Sequence, residues 1–178
     1  DRSVIVEIRA GAGGDEAAIL HIAAHGRADD ADTRRSFLLL EAPAWRGDET
    51  PAPGEDGLLQ WDEAAALPLR CSLVTLASCR SADGVLAVGE GITGLTQAFL
   101  HAGATCVLAA QSDVPDHLSR RMMADFYREL QRGRPAAAAL QAAQLAALRL
   151  PDPGGACPWA GFVLVGDGGV TIPAAVVA

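Results

Sequence analysis

Two residues of this chain have the types and the setting for covalent chemistry. His25 and Cys79 lie 54 positions apart. A thiolate, not a thiol, attacks a carbonyl, and an ordinary cysteine with a pKa near ~8.5 is mostly protonated at neutral pH. A neighbouring imidazole lifts that limit, because it accepts the proton and later returns it to the leaving amine. Each of the two residues closes an apolar run of strand length: LHIAA (20–24) leads into His25, and SLVTLAS (72–78) leads into Cys79. Gly26 follows the histidine. With no Cβ there, a substrate carbonyl can approach the backbone, and the N–H groups of Gly26 and Cys79 can form an oxyanion hole. Taken singly, each residue also has a plainer reading, as a hydrogen-bonded structural histidine and as a core thiol.

The other reactive side chains read as structural. His21 lies inside its strand, while His101 and His117 fall at helix ends. Cys71 precedes a strand, Cys106 lies inside one, and Cys157 sits in a loop before Pro158. No C-x-x-C pair and no histidine pair at zinc spacing occurs, so neither a metal nor an organic cofactor is expected. Gly11, Gly13 and Gly14 in GAGGDEA superficially look like a phosphate loop. No Lys-Ser/Thr follows, and the dinucleotide spacing is absent.

The elements that must position the pair alternate along the chain. Further apolar runs of strand length are SFLLLE (36–41), ATCVLAA (104–110) and GFVLV (161–165). Most are apolar throughout, as strands covered on both faces are. Between them lie helical patterns. Ile92, Leu95 and Phe99 mark one face of a helix that stops near Gly103. Leu118, Met122, Phe126 and Leu130 mark a second, ending at Gly133. These are core stripes. Pro135 suits the first turn of a third helix over 136–150, with Leu140, Gln144 and Leu148 in register. Strands alternating with helices predict a three-layer α/β sandwich with a mostly parallel sheet. The run 36–41, a Pro/Gly/acid-rich loop (42–56) and GLLQW (57–61) read as an excursion between core strands. In open α/β sheets ligands gather beyond the carboxyl ends of the strands. That rule brings together His25-Gly26, Cys79 and the segment 111–116.

Composition sets the remaining bounds. Of the 178 residues half are apolar and 20% are charged. A single core can bury such a set, and disorder is ruled out. At ~150 residues per domain the length gives one domain. The net charge of −8 argues against a nucleic-acid binder. No apolar run reaches the ~18 residues of a membrane span, and no signal peptide is visible. Four cysteines in that setting are expected as reduced thiols in a cytoplasm.

The order of these pieces resembles the CHAT domain, a caspase/separase-like family of clan CD cysteine peptidases often fused behind tetratricopeptide repeats. LHIAAHG (20–26) looks like the family's His motif, and SLVTLASCRSADG (72–84) looks like its Cys motif, with Ala77-Ser78-Cys79 where Ser-Ala-Cys is more usual. SFLLLE with DGLLQWDEAAAL is similar to the central hairpin and short helix. GEGITGLTQAFLHAGATCVLAAQSDVPD, MADFYRELQRG and PWAGFVLVGD complete the pattern over residues 20–168. Caspase-type proteases also place the histidine ~50 residues before the cysteine. The resemblance implies a caspase-like fold, a His25–Cys79 dyad, and a protein or peptide substrate. It further implies a tetratricopeptide-repeat or other sensor region in cis or in trans, and a role in bacterial defence, signalling or cell death. Gln111-Ser112 stand where the family commonly has Leu-Trp. Asp113 or Asp116 would set an acid near the primary specificity pocket, as in Arg-preferring relatives. The favoured reading of Asp116 is a cap of the following helix. Glu90 orders the loop below the cysteine or starts its helix.

Residues 1–19 form an extension of uncertain origin, and 169–178 a C-terminal tail. DRSVIVEIRAGAGGDEAA (1–18) resembles a segment of bacterial peptide chain release factors. The catalytic Gly-Gly-Gln of those proteins is absent and the charge is wrong for a ribosome binder, so no translation role is inferred. Val4, Val6 and Ile8 alternate as a strand does. That strand would stand in for N-terminal elements that the chain lacks. The expected activity is that of a cysteine endopeptidase. The alternative is an inactive CHAT-type interaction or regulatory module.

Overall fold

The computed structural model describes residues 5–10, 17–27, 33–40, 56–77, 90–111, 114–149 and 158–177. In chain order the strands are β1 (Ile5–Ala10), β2 (Ala17–Ala23), β3 (His25–Arg27), β4 (Phe37–Leu39), β5 (Leu58–Gln60), β6 (Leu73–Leu76), β7 (Cys106–Ala110) and β8 (Phe162–Gly166). The α-helices are α1 (Trp61–Ala66), α2 (Glu90–His101), α3 (Asp116–Gln131), α4 (Ala136–Leu148) and α5 (Ala174–Val177). One sheet has five strands in the order β1-β2-β6-β7-β8, and a second has three in the order β3-β4-β5.

The large sheet is parallel through its centre, where β2, β6 and β7 run together, and antiparallel at both edges. Connection lengths explain the edges. Only residues 11–16 separate β1 from β2, too few for the crossover that a parallel pair needs. Two helices, α3 and α4, separate β7 from β8. One carries the chain down and the other carries it back, so β8 starts beside the end of β7.

Alternation along the central strands sorts their side chains to two faces. Ile19, Leu73, Cys106, Leu108 and Ala110 pack with Met122, Phe126, Leu130, Leu140 and Val176 of the layer formed by α3, α4 and α5. Leu20, Ile22, Val74, Leu76, Val107 and Ala109 pack on the other face with Leu38, Ala64, Leu95, Ala98 and Phe99. The molecule is therefore a three-layer α/β sandwich, as the alternating runs predict. Phe99, Phe126, Leu73 and Leu108 are wholly buried, worth about 1.5–3 kcal/mol each. Ile172 and Val176, beyond the last strand, are also buried in the helical layer.

The expected excursion between core strands is present as the β4–β5 hairpin, whereas two details of the third helix need correction. The excursion over 36–41 and 57–61 is part of a separate antiparallel sheet, and His25–Arg27 form its outer strand (His25↔Leu39, Arg27↔Phe37). A single residue, Ala24, links that strand to β2. The third helix ends at Leu148, and its buried face is Ala136, Ala139, Leu140, Ala143 and Ala147, while Leu148 is exposed. A strict four-residue step gains about 40° per repeat on a helix of 3.6 residues per turn. Over two steps from Leu140 the stripe has rotated off the core. Pro135 is the residue before the helix rather than in its first turn. The loop at 42–55 lies outside the described residues.

Candidate active site

The site is framed by the parallel pair β2–β6. Its register sets Ile22 opposite Leu76, and the Ala77 N–H continues the ladder by donating to the Ile22 carbonyl at 2.9 Å. Both strands end at the same edge of the large sheet. His25 follows Ile22 by three residues, and Cys79 follows Leu76 by three. The histidine's backbone lies in β3. Cys79 lies outside the described residues, and so does Asp113.

The small sheet fixes how Gly26 points. Backbone groups along an antiparallel strand face alternate neighbours. The Leu40 N–H donates to the Gly57 carbonyl at 2.7 Å, so Leu40 and Leu38 turn their polar groups to β5. Phe37 and Leu39 then turn theirs to β3, where they meet Arg27 and His25. Gly26, opposite Leu38, directs its N–H away from β4. The ladder does not use that donor.

The next strand over adds a wall. At the end of β7 the Gln111 N–H donates to the Gly161 carbonyl at 2.8 Å, and its side-chain Nε2 donates to the Ala160 carbonyl at 2.6 Å. These bonds tie a short 3-10 turn (Pro158–Ala160) to the carboxyl edge of the sheet. Asp116 stands at the same edge, exposed, as the first residue of α3. The expected cap is corrected here. Pro115 occupies the capping position and no side chain caps the helix. Asp116 is inside the first turn, where its charge favours the helix through the dipole and not through a cap. Its carboxylate is thus left facing solvent.

Among the described residues, Cys71, Cys106 and His101 lie away from this edge. Cys71 and Cys106 are buried free thiols near the amino ends of β6 and β7. Burial pushes the Cys71 thiol up to about 11. Burial, then the Asp167 carboxylate, then Cys71 push Cys106 up to about 12. Neither supplies a thiolate at neutral pH. His101, exposed, stacks on Trp61 with ring centroids 6.4 Å apart, and the Arg34 guanidinium lies 5.3 Å from the same ring. His117 is exposed in the first turn of α3. Cys157 lies outside the described residues. Among the described residues no three His, Cys, Asp or Glu side chains gather as a metal site requires.

A polar bridge lies one step below the edge. His21 and Thr75 are register partners on β2 and β6. The Tyr127 phenol donates to Thr75 Oγ1 at 2.9 Å and lies 2.7 Å from His21 Nδ1. A phenol has one proton, so with that proton on Thr75 the imidazole Nδ1–H is the donor to the phenol oxygen. Thr75 is wholly buried, and the bridge satisfies its hydroxyl. Reading the sequence alone kept His21 structural but passed over Tyr127. The signal was a polar-tipped aromatic beside Phe126 at the margin of an apolar stripe.

The chain is 36% identical over 115 residues to tetratricopeptide repeat protein 28 of Mus musculus. It is 34% identical over 115 residues to the protein of the same name from Homo sapiens. Each match spans 65% of this chain but 5% of the relative's length. Among the described residues no helix is long and apolar enough to cross a membrane. The family profile described as the CHAT domain matches residues 3–167, taking in β1 as well as the strands that lead to His25 and Cys79, and the chain belongs to the CHAT domain family.

Proposed function

We propose that this domain is a cysteine endopeptidase with His25 as general base and acid and Cys79 as nucleophile. The observation that carries the reading is the Ile22–Leu76 register, which ends β2 and β6 at one edge of the sheet, with His25 and Cys79 each three positions further along the sequence. Cys79 Sγ, its proton held by His25, adds to the scissile carbonyl carbon. The carbonyl electron pair moves to oxygen, where the N–H groups of Gly26 and Cys79 receive it. The outward direction of the Gly26 N–H supports that role. As the C–N bond breaks, the imidazolium gives its proton to the leaving amine. Water, deprotonated by His25, then hydrolyses the thioester and frees the thiol. No cofactor is required.

Asp113 and Asp116 are the acids we assign to substrate binding, for a basic side chain at the cleaved position. The exposed Asp116 carboxylate beyond β7 supports this. Residues 20–168 are taken as the catalytic body. A tetratricopeptide-repeat or other sensor region, in cis or in trans, is the proposed controlling partner, in keeping with the relatives' name. The setting proposed is bacterial defence, signalling or cell death in a cytoplasm.

The test is selective alkylation. Iodoacetamide at neutral pH should modify Cys79 well before Cys71 and Cys106, with a depressed thiol pKa, and a Cys79→Ala variant should lose the fast phase. Equal, sluggish reaction of all four thiols would sink the peptidase and leave a non-catalytic interaction module.

A further inference from the structure

Among the described residues most large apolar side chains are buried or half-buried. The exposed exceptions among them are Trp159 (41%), Leu145 (50%) and Leu148 (57%). They are not scattered. Leu145 and Leu148 are three apart on α4 and share a face. Trp159 belongs to the 3-10 turn against which α4 packs. The start of α4 is bonded to the far end of the sheet, where the Ala136 and Ala137 N–H groups donate to the Val170 and Gly168 carbonyls. Its other end therefore rises to the edge at which β7 finishes, and Gln144 Nε2 there donates to the Phe162 carbonyl at 3.2 Å. The three exposed side chains thus sit at the carboxyl edge of the sheet, the edge at which β2 and β6 also end.

The tryptophan is not on a loose loop. Gln111 holds its turn through two hydrogen bonds, to Ala160 and Gly161. Its lateral offset can be reckoned from the strand order. β8, which continues from that turn, is two strands from β6, or roughly 10 Å at ~4.8 Å per strand. An extended peptide covers that span in about three residues.

We infer that Trp159, extended by Leu148 and Leu145, is an apolar subsite for the polypeptide substrate. It receives a large aliphatic or aromatic side chain about three residues from the part of the peptide that crosses the end of β6. The inference rests on the peptidase reading and names the substrate class of that same site. The preferred substrate combines a basic residue at the cleaved position, facing the Asp116 end of α3, with an apolar residue some three positions away. Indole and leucine surfaces gain by leaving water together, and that gain is available only to peptides carrying the apolar side chain.

The experiment uses internally quenched peptides with Leu, Phe, Gly or Asp at the third and fourth positions on either side of an Arg cleavage site. Cys79 alkylation by iodoacetamide is measured in parallel on the same preparations. Leu and Phe are expected to raise kcat/KM about tenfold over Gly on one side of the bond. Trp159→Ala is expected to erase that preference. Leu148→Glu, on an exposed helix position that tolerates a charge, is expected to weaken it severalfold and guards against a folding defect at Trp159. Failure of the two ideas is distinguishable. If iodoacetamide does not select Cys79 and nothing is cleaved, the peptidase reading falls and takes the subsite with it. If peptides are cleaved with no apolar preference, or the preference survives in both variants, the subsite is overturned and the peptidase stands. Selective alkylation without cleavage of any Leu- or Phe-bearing peptide also overturns the subsite.

Discussion

The two ends of the five-stranded sheet are built to opposite purposes. At the amino end of β6 and β7 the backbone closes on itself. Leu69 N–H donates to Ala102, Thr105 N–H to Cys71, Cys106 N–H to Ser72 and Asp167 N–H to Thr105, all at 3.0–3.2 Å. Gly103 and Gly166 have φ of 113° and 101°. A Cβ on them would meet the Leu69 carbonyl oxygen at 2.2 Å and the Thr105 carbonyl oxygen at 2.6 Å. No side chain fits there. At the carboxyl end Asp116, Gln111 and Trp159 are exposed. The amino end is thus closed by tight backbone packing, and the carboxyl end presents exposed polar and aromatic side chains, the arrangement expected if the proposed site lies there.

That contrast can be broken first at the carboxyl end. Cys79→Ala is expected to lower peptide cleavage by at least about 1,000-fold while leaving the melting temperature within a degree or two. A large loss of stability in that variant would show that the carboxyl end also holds the fold together. At the amino end the reverse is expected. Gly103→Ala forces a Cβ against the Leu69 carbonyl at a left-handed φ, a cost of about 3 kcal/mol or more. Calorimetry should register that as a fall in Tm of roughly 10 °C. An unchanged Tm would mean that the junction is slack.

Smaller changes sharpen the boundary between the ends. Tyr127→Phe removes the phenol that joins His21 to Thr75 and leaves the buried hydroxyl without that partner. Urea denaturation should show a loss of about 1–2 kcal/mol. A neutral result would mean that water replaces the phenol. The smallest effect is alkaline. The Cys71 and Cys106 thiols sit near 11 and 12 when folded, against an ordinary 9.0. Unfolded thiols therefore lose protons first, and the folded state binds more protons above pH 9. Stability is undiminished below pH 9 and falls as pH rises towards 11–12, by about 1 kcal/mol per thiol at pH 10. Melts of the Cys106→Ala variant should be flatter between pH 8.5 and 10 than those of the parent.

Much of this organisation is legible in the residues themselves. The runs at 72–78 and 104–110 contain the strands Leu73–Leu76 and Cys106–Ala110, buried at every position, because strands between two helical layers must be apolar on both sides. The stripe Met122, Phe126, Leu130 faces the core as spacing predicts. Two of the misses depend on partners distant in sequence. Nothing local says that His25–Arg27 leave one sheet for another, since that is decided by pairing with residues 37–39. The Tyr127–His21 contact joins residues 106 positions apart. The alanine-rich face of α4 hid its own phase, since alanine serves equally inside and out. Of the proposed site, the strands β2 and β6 that lead toward His25 and Cys79 were readable, whereas the place of His25 in β3 and the direction of the Gly26 N–H required the ladder.

The one-residue junction at Ala24 has a mechanical consequence. It couples the two sheets: the backbone passes from β2 to β3 through one buried residue, and Leu38 of the small sheet is buried in the same core as Val74 and Leu76 of the large one. A displacement of the β4–β5 hairpin is therefore carried into the large sheet through packed side chains as well as through the chain.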